Sequence, residues 1–285
     1  SEREPNPCGV SQSPAASRRS LPLAPTAAMT LDPTQKIQED AYQFPYHYIA
    51  QFRPHFNQCY YFAWGINYAA SLEFILQQLS QEPFETLIDV GCGDGRITQE
   101  VGRRFPQRSI EGVDYSQRAV QLAQLMNPRG QYRCVDILQD DWGQRYDIAL
   151  LIEVFEHIPP ERGPAFLAAI AQRLLRPGGR LHLTVPHRNL PLDPKHYRHF
   201  TLAELQTLLA DCFEIEHVIF LEQRSWRKGL IDLLLGNKLF ILNSTKLKNI
   251  LYRLYKQHLL LARSERHCNR LYIQARAKAQ SPGGC

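Results

Sequence analysis

Short apolar runs alternate with helical repeats from Thr86 to the end of the chain. In the intervening segments apolar residues recur every three or four positions, which is typical of helices that pack on one face. The predicted strands are Thr86–Val90, Ser109–Val113, Tyr132–Val135, Asp147–Val154, Arg180–Val185, Phe213–Leu221 and Asn269–Ala277. This alternation predicts an α/β fold, a doubly wound, seven-stranded and mostly parallel sheet with helices on both faces.

Local signals punctuate the predicted helices. Asn127-Pro128 stops one helix, Pro177-Gly178-Gly179 turns the chain into a strand, and Thr201 with Glu204 forms a capping box. The predicted helices are Gln99–Phe105, Gln117–Met126, Pro164–Leu175 and one that begins at Thr201.

The ends of the chain differ from this core in composition. The proline-rich first 30 residues lack apolar periodicity and are predicted to be disordered. The aromatic-rich part that follows is predicted to be helical, with interruptions at Pro45 and Pro54, and is interpreted as a lid over a ligand or as core. The predicted organisation is a tail at 1–30, a lid at 31–83, a core at 84–221, a basic helical insertion at 222–268 and a final strand at 269–279.

Composition narrows the class of protein. The chain is 44% hydrophobic and 21% charged, as in ordinary globular proteins, and it contains no apolar stretch of 18 residues. Its seven cysteines form no C-x-x-C pair, which argues against structural zinc and favours reduced thiols in the cytoplasm.

The strongest chemical signal is a glycine-rich loop directly after the first strand. Gly91, Gly93 and Gly95 stand at alternating positions behind Asp89, and a helix follows. A dinucleotide fingerprint would place its third glycine one position later, where this chain has Arg96. The spacing resembles motif I of class I S-adenosylmethionine-dependent methyltransferases, and the likeness, of the type 11/12/23 kind, covers residues 84–221.

The resemblance implies a cofactor site for S-adenosylmethionine. Asp89 would lie near the ammonium group, Asp114 would accept hydrogen bonds from the ribose hydroxyls, and Asp136 with Ile137 would recognise the adenine. Tyr146–Leu151 and Arg176–Gly179 resemble later motifs of the family. The full set implied for the cofactor is Asp89, Gly91, Cys92, Gly93, Gly95, Asp114, Tyr115, Asp136, Ile137 and Ile152.

The acceptor side is predicted just after the fourth strand. If a helical turn begins there, Glu153, Glu156 and His157 share one face of it. Methyl transfer to a hydroxyl requires loss of a proton, and His157 is the natural general base. The alternative is that His157 only positions the loop.

The same residues are candidate ligands for a divalent cation. Glu153, Glu156 and His157, with His196 or His199 as a further ligand, could lower the pKa of an acceptor hydroxyl through a bound cation. This set resembles the small-RNA 2′-O-methyltransferases, and its first half resembles quinone-biosynthesis O-methyltransferases, although similar strings occur in enzymes without metal.

The loop from Thr184 to Thr201, together with Pro45–Ile49, resembles bacterial O-methyltransferases associated with polysaccharides and glycolipids. That likeness implies a sugar, glycolipid or small-molecule hydroxyl as acceptor. The alternatives are a metal-assisted RNA 2′-O-methyltransferase, a quinone-type O-methyltransferase, a spermidine-synthase-like transferase and a non-catalytic cofactor-binding or membrane-surface subunit.

Residues 223–263 carry nine Lys and Arg against one acid, Asp232. Apolar and basic residues at helical spacing favour either peripheral contact with an anionic membrane or a helical cap over the site. Solvated helix faces are the third interpretation of this charge. No RNA-binding module is recognised, so nucleic acid is a secondary alternative as partner.

Overall fold

Seven strands form one sheet in the part of the chain that the computed structural model describes, residues 32–41, 64–140, 142–236, 239–240, 242 and 244–279. Their order is β3-β2-β1-β4-β5-β7-β6, and all neighbours are parallel except β7, which is antiparallel to β5 and to β6. The predicted doubly wound, mostly parallel sheet is confirmed. The strands are β1 Thr86–Val90, β2 Ser109–Asp114, β3 Gln131–Cys134, β4 Tyr146–Ile152, β5 Leu175–Pro186, β6 Phe213–Gln223 and β7 Cys268–Ala277.

The helices fall between the strands as the periodicity predicted, and the ends of some of them are shifted. The segment predicted as one helix over Pro164–Leu175 is α-helical only to Ala169 and continues as a π-helical turn, Ile170–Leu174. The Thr201–Glu204 capping box is present. The helices are α1 Pro33–Ala41, α2 Trp64–Leu79, α3 Arg96–Arg104, α4 Gln117–Met126, α5 Gly163–Ala169, α6 Leu202–Leu209, α7 Trp226–Gly236 and α8 Thr245–His258.

Two apolar layers cover the faces of the sheet. One joins Phe155, Phe166 of α5 and Leu205 of α6 to strand residues such as Leu183. The other layer joins α2, α7 and α8 to the opposite face. Helices α7 and α8 form the helical insertion between β6 and β7. Because the layers lie on both sides, the strands are buried along most of their length, as their continuous apolar runs require.

The strand order defines the end of the sheet at which a ligand is expected to bind. β1 and β4 are adjacent although β2 and β3 intervene in sequence, so the chain leaves the two strands in opposite directions. Open α/β sheets bind ligands in the crevice at the carboxyl ends of such a pair of strands. The glycine loop after β1 and the residues after β4 both lie at this edge.

Several predictions concern residues that the structure does not describe. The tail at 1–30, the interruptions at Pro45 and Pro54 and most of the aromatic positions between them lie outside the described residues. None of the helices it does describe is both long enough and apolar enough to cross a bilayer.

Candidate active site

The glycine loop adopts a backbone conformation that other residues rarely take. Gly91, Gly93 and Gly95 have φ angles of 74°, 55° and 75°. A Cβ at Gly91 would lie 2.6 Å from a methyl carbon of Val154, which follows β4. The loop that begins the predicted cofactor site therefore packs directly against the turn predicted to carry the acceptor chemistry.

Asp114, at the end of β2, is tied to this loop. Its carboxylate accepts hydrogen bonds from the backbone N–H groups of Gly93 and Ser116, each at 2.9 Å. Burial raises the pKa of Asp114 to about 6, and the negative charge of Glu39 adds to that effect against the two N–H donors. The carboxylate thus lies beside the glycine loop, where the resemblance to methyltransferases placed it.

Asp89 and Cys92 connect the glycine loop to the neighbouring helices. The Asp89 carboxylate is buried and accepts a hydrogen bond from the Thr98 hydroxyl at 2.6 Å, which ties β1 to α3. The Cys92 side chain packs with Val120 and Ala123 of α4, while its backbone N–H donates to Val113. Burial, chiefly, holds the pKa of the Cys92 thiol well above its usual range, so this cysteine is not an activated nucleophile.

The residues predicted to hold the adenine lie after β3. Asp136 accepts hydrogen bonds from the Leu138 N–H and the Gln139 side chain, and Arg162 lies 3.5 Å from its carboxylate. Ile137 is buried in the apolar layer. Asp136 therefore also shapes its own turn. Tyr115 follows Asp114 at the end of β2, and Ile152 ends β4 at the same edge of the sheet.

Glu153 departs from the helical turn that the sequence predicted. Its φ is 56°, and only Phe155–His157 form a 3-10 turn, so Glu153 stands outside the turn that carries Glu156 and His157. The prediction that all three share one helical face is wrong in this respect. The Glu153 carboxylate instead accepts a hydrogen bond from Arg270 Nε at 2.7 Å.

Arg270 was not predicted from the sequence. It lies on β7, 117 positions from Glu153, and its guanidinium also contacts Glu222 at 2.5 Å. Although burial alone would lower it, the charges of the two glutamates raise the pKa of Arg270. The one sequence signal that could have found it is a charged residue within a strand that is otherwise mostly apolar.

Glu156 is the most unusual group at the site. Its side chain is fully buried, and neither carboxylate oxygen has a hydrogen-bond partner. Burial first, and then the charge of Glu153, hold the pKa of Glu156 well above its usual range. A buried carboxylate without a donor is costly unless a cation or a proton compensates it.

Two histidines next to Glu156 present unprotonated Nε2 atoms. His157 Nδ1 lies 2.8 Å from the Lys195 carbonyl, which can only accept, so the proton is on Nδ1. His199 Nδ1 donates to the Leu190 carbonyl, which leaves its Nε2 to accept from His196 Nδ1 at 2.9 Å. The hydrogen bonds therefore assign the Nε2 lone pairs of His157 and His196 as available for a ligand or a proton.

Burial keeps both rings neutral. It lowers the pKa of His157 to about 4 and, together with the proximity of His157, the pKa of His196 to about 3. The two rings meet edge to face at 4.7 Å between centroids. Ligand atoms of Glu156, His157 and His196 all lie within 4.8 Å of one another.

These positions can be compared with the predicted metal ligands. Glu156, His157 and His196 come together, and His199 supports His196 rather than joining the cluster. Glu153 is held by Arg270, but its second oxygen is buried without a partner. The carboxylate and two imidazoles that come together are a donor set that suits a divalent cation.

Helix α1 approaches both halves of the site. The Tyr197 hydroxyl, on the histidine-containing loop, donates to the Asp32 carboxylate just before α1. Glu39, on the same helix, acts electrostatically on Asp114. Neither contact was predicted, because nothing in the sequence pairs residues so far apart.

Arg198 packs against the aromatic rings of Phe155 and Phe200. Its guanidinium is 5.5 Å from the Phe155 ring centre and 4.8 Å from that of Phe200. Burial lowers the pKa of Arg198. This residue therefore packs the loop onto the apolar core.

Part of the chain matches a known family of protein domains. Residues 88–181 match a family model described as "Methyltransferase domain". That range begins in β1, includes the glycine loop, Asp114 and the residues after β4, and ends in β5. The methyltransferase domain predicted from the sequence is therefore confirmed over residues 88–181.

The relatives are similar over part of their length. A ubiquinone biosynthesis O-methyltransferase of Alkalilimnicola ehrlichii is 31% identical over 132 residues, 44% of this chain and 50% of that protein. Its counterpart in Leptothrix cholodnii is 30% identical over 125 residues, 41% of this chain and 51% of that protein. The chain therefore spans about half the length of the curated relatives it matches.

A solved structure shows the same fold. The N-methyltransferase NodS from Bradyrhizobium japonicum, in complex with S-adenosyl-L-homocysteine, superposes with a TM-score of 0.50 at 15% identity. The superposition covers 74% of this chain and 88% of NodS. At this identity the likeness concerns the fold of the sheet and its helices.

Proposed function

We propose that this protein is an S-adenosylmethionine-dependent methyltransferase that methylates a hydroxyl group of a small molecule. The observation that carries the proposal is the pairing of two half-sites at one sheet edge. The glycine loop with Asp114 would hold the cofactor, and Glu156, His157 and His196 would face the acceptor. Val154 packs against the loop at Gly91, so the two half-sites are neighbours.

The Asp114 carboxylate would hold the ribose of the cofactor. Asp114 keeps its acceptor oxygens at the loop, where ribose hydroxyls can donate to them. The bound cofactor supplies a methyl group on a sulfonium that is already reactive. The residues of this chain would act mainly by holding the acceptor oxygen in line with that methyl group and excluding water.

We further propose that Glu156, His157 and His196 bind a divalent cation, with the free oxygen of Glu153 as a further ligand. Support comes from the buried Glu156 carboxylate without a donor and from the two Nε2 lone pairs beside it. A bound cation would lower the pKa of an acceptor hydroxyl. The Lys195 carbonyl and His199 would orient the two rings, as outer partners do at metal sites.

His157 as a general base is the second candidate mechanism. Its neutral ring, with the proton held on Nδ1 by the Lys195 carbonyl, leaves Nε2 free to accept the proton of the hydroxyl. In that case activity would survive a chelator, whereas the cation mechanism requires that it be lost and then restored by manganese or magnesium.

The relatives named as ubiquinone biosynthesis O-methyltransferases favour an acceptor of the quinone-biosynthesis type. A sugar or glycolipid hydroxyl and an RNA 2′-hydroxyl are the alternatives. Helix α1 is proposed as part of a lid, because the Asp32–Tyr197 hydrogen bond ties it to the acceptor loop.

The cofactor is tested by calorimetric titration of S-adenosylmethionine into the wild type, Asp114→Ala and the exposed-acid control Asp211→Ala. We expect the dissociation constant to rise about tenfold or more in Asp114→Ala only, since charge-assisted hydrogen bonds are lost. Absence of binding to the wild type would contradict the proposal.

The acceptor is tested by methyl transfer from labelled cofactor to a catechol, a hexose and a short RNA. Each assay is run with chelator and with added manganese. Manganese binding to the wild type, His196→Ala and the exposed control His217→Ala is measured separately. Binding that does not change in His196→Ala would overturn the assigned cation site, whatever the activity shows.

A further inference from the structure

Helices α7 and α8 expose apolar side chains on one side while burying others in the core. Ile231 and Leu235 of α7 pack in the same apolar layer as Leu251 and Tyr255 of α8. This layer covers one face of the sheet, so both helices lie on that face. Each helix is therefore fixed to the body of the protein by one of its sides.

The sides of α7 and α8 that face away from the core carry several exposed apolar side chains. On α7, Trp226 is 73% exposed and Leu230 is 50% exposed, four positions apart. On α8, Leu247, Ile250 and Leu254 are exposed at spacings of three and four. These spacings place the exposed residues of each helix along one stripe. We call these five residues, with Arg227, Lys246 and Arg253, the α7–α8 outer face.

The charges of the outer face all have one sign. Arg227, Lys246 and Arg253 are exposed, and none of them forms an ion pair within the described part of the chain. Asp232 is the one acid in residues 223–263, and Lys228 neutralises it at 2.5 Å. The nearby acid Glu73 is in turn paired with Lys256. The outer face therefore combines apolar stripes with cations that have no carboxylate to offset them.

We propose that the α7–α8 outer face docks this protein on an anionic phospholipid surface. Tryptophan and leucine side chains on one helix stripe favour the boundary between headgroups and acyl chains. Lysine and arginine beside them are attracted to anionic headgroups. The Arg227 guanidinium lies 5.7 Å from the centre of the Trp226 ring, so the two contributions are adjacent on α7. Charge complementarity selects an anionic lipid surface over a second copy of this basic face.

The proposal does not depend on the methyltransferase activity, since no residue of the outer face belongs to the cofactor or acceptor site. It is tested by co-sedimentation of the full chain with phosphatidylcholine vesicles, with and without phosphatidylglycerol. We expect binding to the mixed vesicles only, and we expect added salt to weaken it. Binding to neither kind of vesicle, or equal binding to both, would overturn the proposal.

Two pairs of substitutions locate the surface. Arg227→Glu with Arg253→Glu should reduce partition about tenfold or more, because both electrostatic contributions change sign. Leu230→Gln with Ile250→Gln should weaken binding and leave the melting temperature unchanged. Arg118→Glu and Leu125→Gln, exposed positions on α4, serve as matched controls. Equal losses in the controls would place the contact elsewhere and overturn the assignment.

Trp226 supplies a local readout. Its emission should shift to shorter wavelength on mixed vesicles, and Trp226→Phe should remove the shift while keeping most of the vesicle binding.

Sedimentation equilibrium tests whether a second copy of this chain covers the outer face instead. A dimer that dissociates on Leu230→Gln with Ile250→Gln, without vesicle binding by the wild type, would show that a second copy covers this face.

Discussion

Glu153 and Arg270 are joined by a hydrogen bond of 2.7 Å, and Glu153 is held in the left-handed backbone region with φ at 56°. The same guanidinium binds Glu222, whose φ is 58°. Among the described residues these two glutamates are the only ones other than glycine with positive φ. A left-handed conformation costs roughly 1–2 kcal/mol for such residues, so one arginine stabilises two strained positions. Arg270 thereby fixes where the Glu153 carboxylate points at the end of β4.

We expect Arg270→Met to lower the free energy of unfolding by about 3 kcal/mol, because it leaves a buried glutamate without its cation. Urea denaturation at neutral pH measures the change. Arg276→Met on the same strand is the control, since Arg276 pairs with Glu216 near the surface and such pairs contribute about 1 kcal/mol or less. Equal losses in the two variants would contradict the role assigned to Arg270.

The glycine loop and most strands could be predicted because their signals are local. The predicted bounds of Thr86–Val90 and Gln117–Met126 agree with β1 and α4. α3 begins at Arg96, three residues before the prediction, since its cap is Gly95, which offers no side-chain oxygen as a signal. The end of the helix after Pro164 was missed because a single π-helical turn of five residues is too short to change the apolar pattern visibly.

The chemistry of the site could be predicted only in part. Glu156, His157 and His196 were identified by residue type, since those types bind cations and carry protons. Their protonation states depend on carbonyl and imidazole partners from distant loops, such as Lys195 and His199. No periodicity encodes such contacts, and the same holds for the Arg270 bridge.

The glycine loop gives a prediction on local geometry. Gly91→Ala should destabilise the protein and weaken cofactor binding. A Cβ there would lie 2.6 Å from Val154, and φ is 74°. Gly102→Ala in α3 is the matched control, because a Cβ at Gly102 meets nothing within 4 Å. The control should raise stability by about 0.5–1 kcal/mol. Thermal melting with and without S-adenosylmethionine measures both. A tolerant Gly91→Ala would show that the loop does not pack as described.

The raised pKa of Asp114 predicts a pH dependence. In the folded protein the pKa of Asp114 is about 6, above the usual 3.8 of an aspartate, because the carboxyl is buried. The resulting stability of the free protein is complete below pH 3.8 and is lost as the pH rises through about 6. Cofactor affinity should change in the opposite direction, since the ionised carboxylate is the better acceptor for ribose hydroxyls. Titrations from below to above pH 6 should show affinity rising in the wild type.

Asp114→Asn controls for titration of the ligand itself. It should remove the rise in affinity across this range and the opposing fall in stability. If the variant keeps the wild-type pH profile, another group is responsible for it.

The hydrogen bond between Tyr197 and Asp32 is predicted to hold α1 against the rest of the protein. Tyr197→Phe removes the donor to a carboxylate whose other donors, among the residues that the structure describes, are the backbone N–H groups of Thr34 and Gln35. We expect amide exchange in Pro33–Ala41 to become about tenfold faster, since a hydrogen bond to a charged group contributes about 1.5 kcal/mol or more. Tyr252→Phe, which loses a bond to Glu73 at 2.8 Å on the other face of the sheet, is the control. It should leave exchange in α1 unchanged. Mass spectrometry of the exchanged peptides distinguishes the two variants. Equal exchange in Tyr197→Phe and the wild type would mean that the loop from Thr184 to Thr201 does not hold α1 in place.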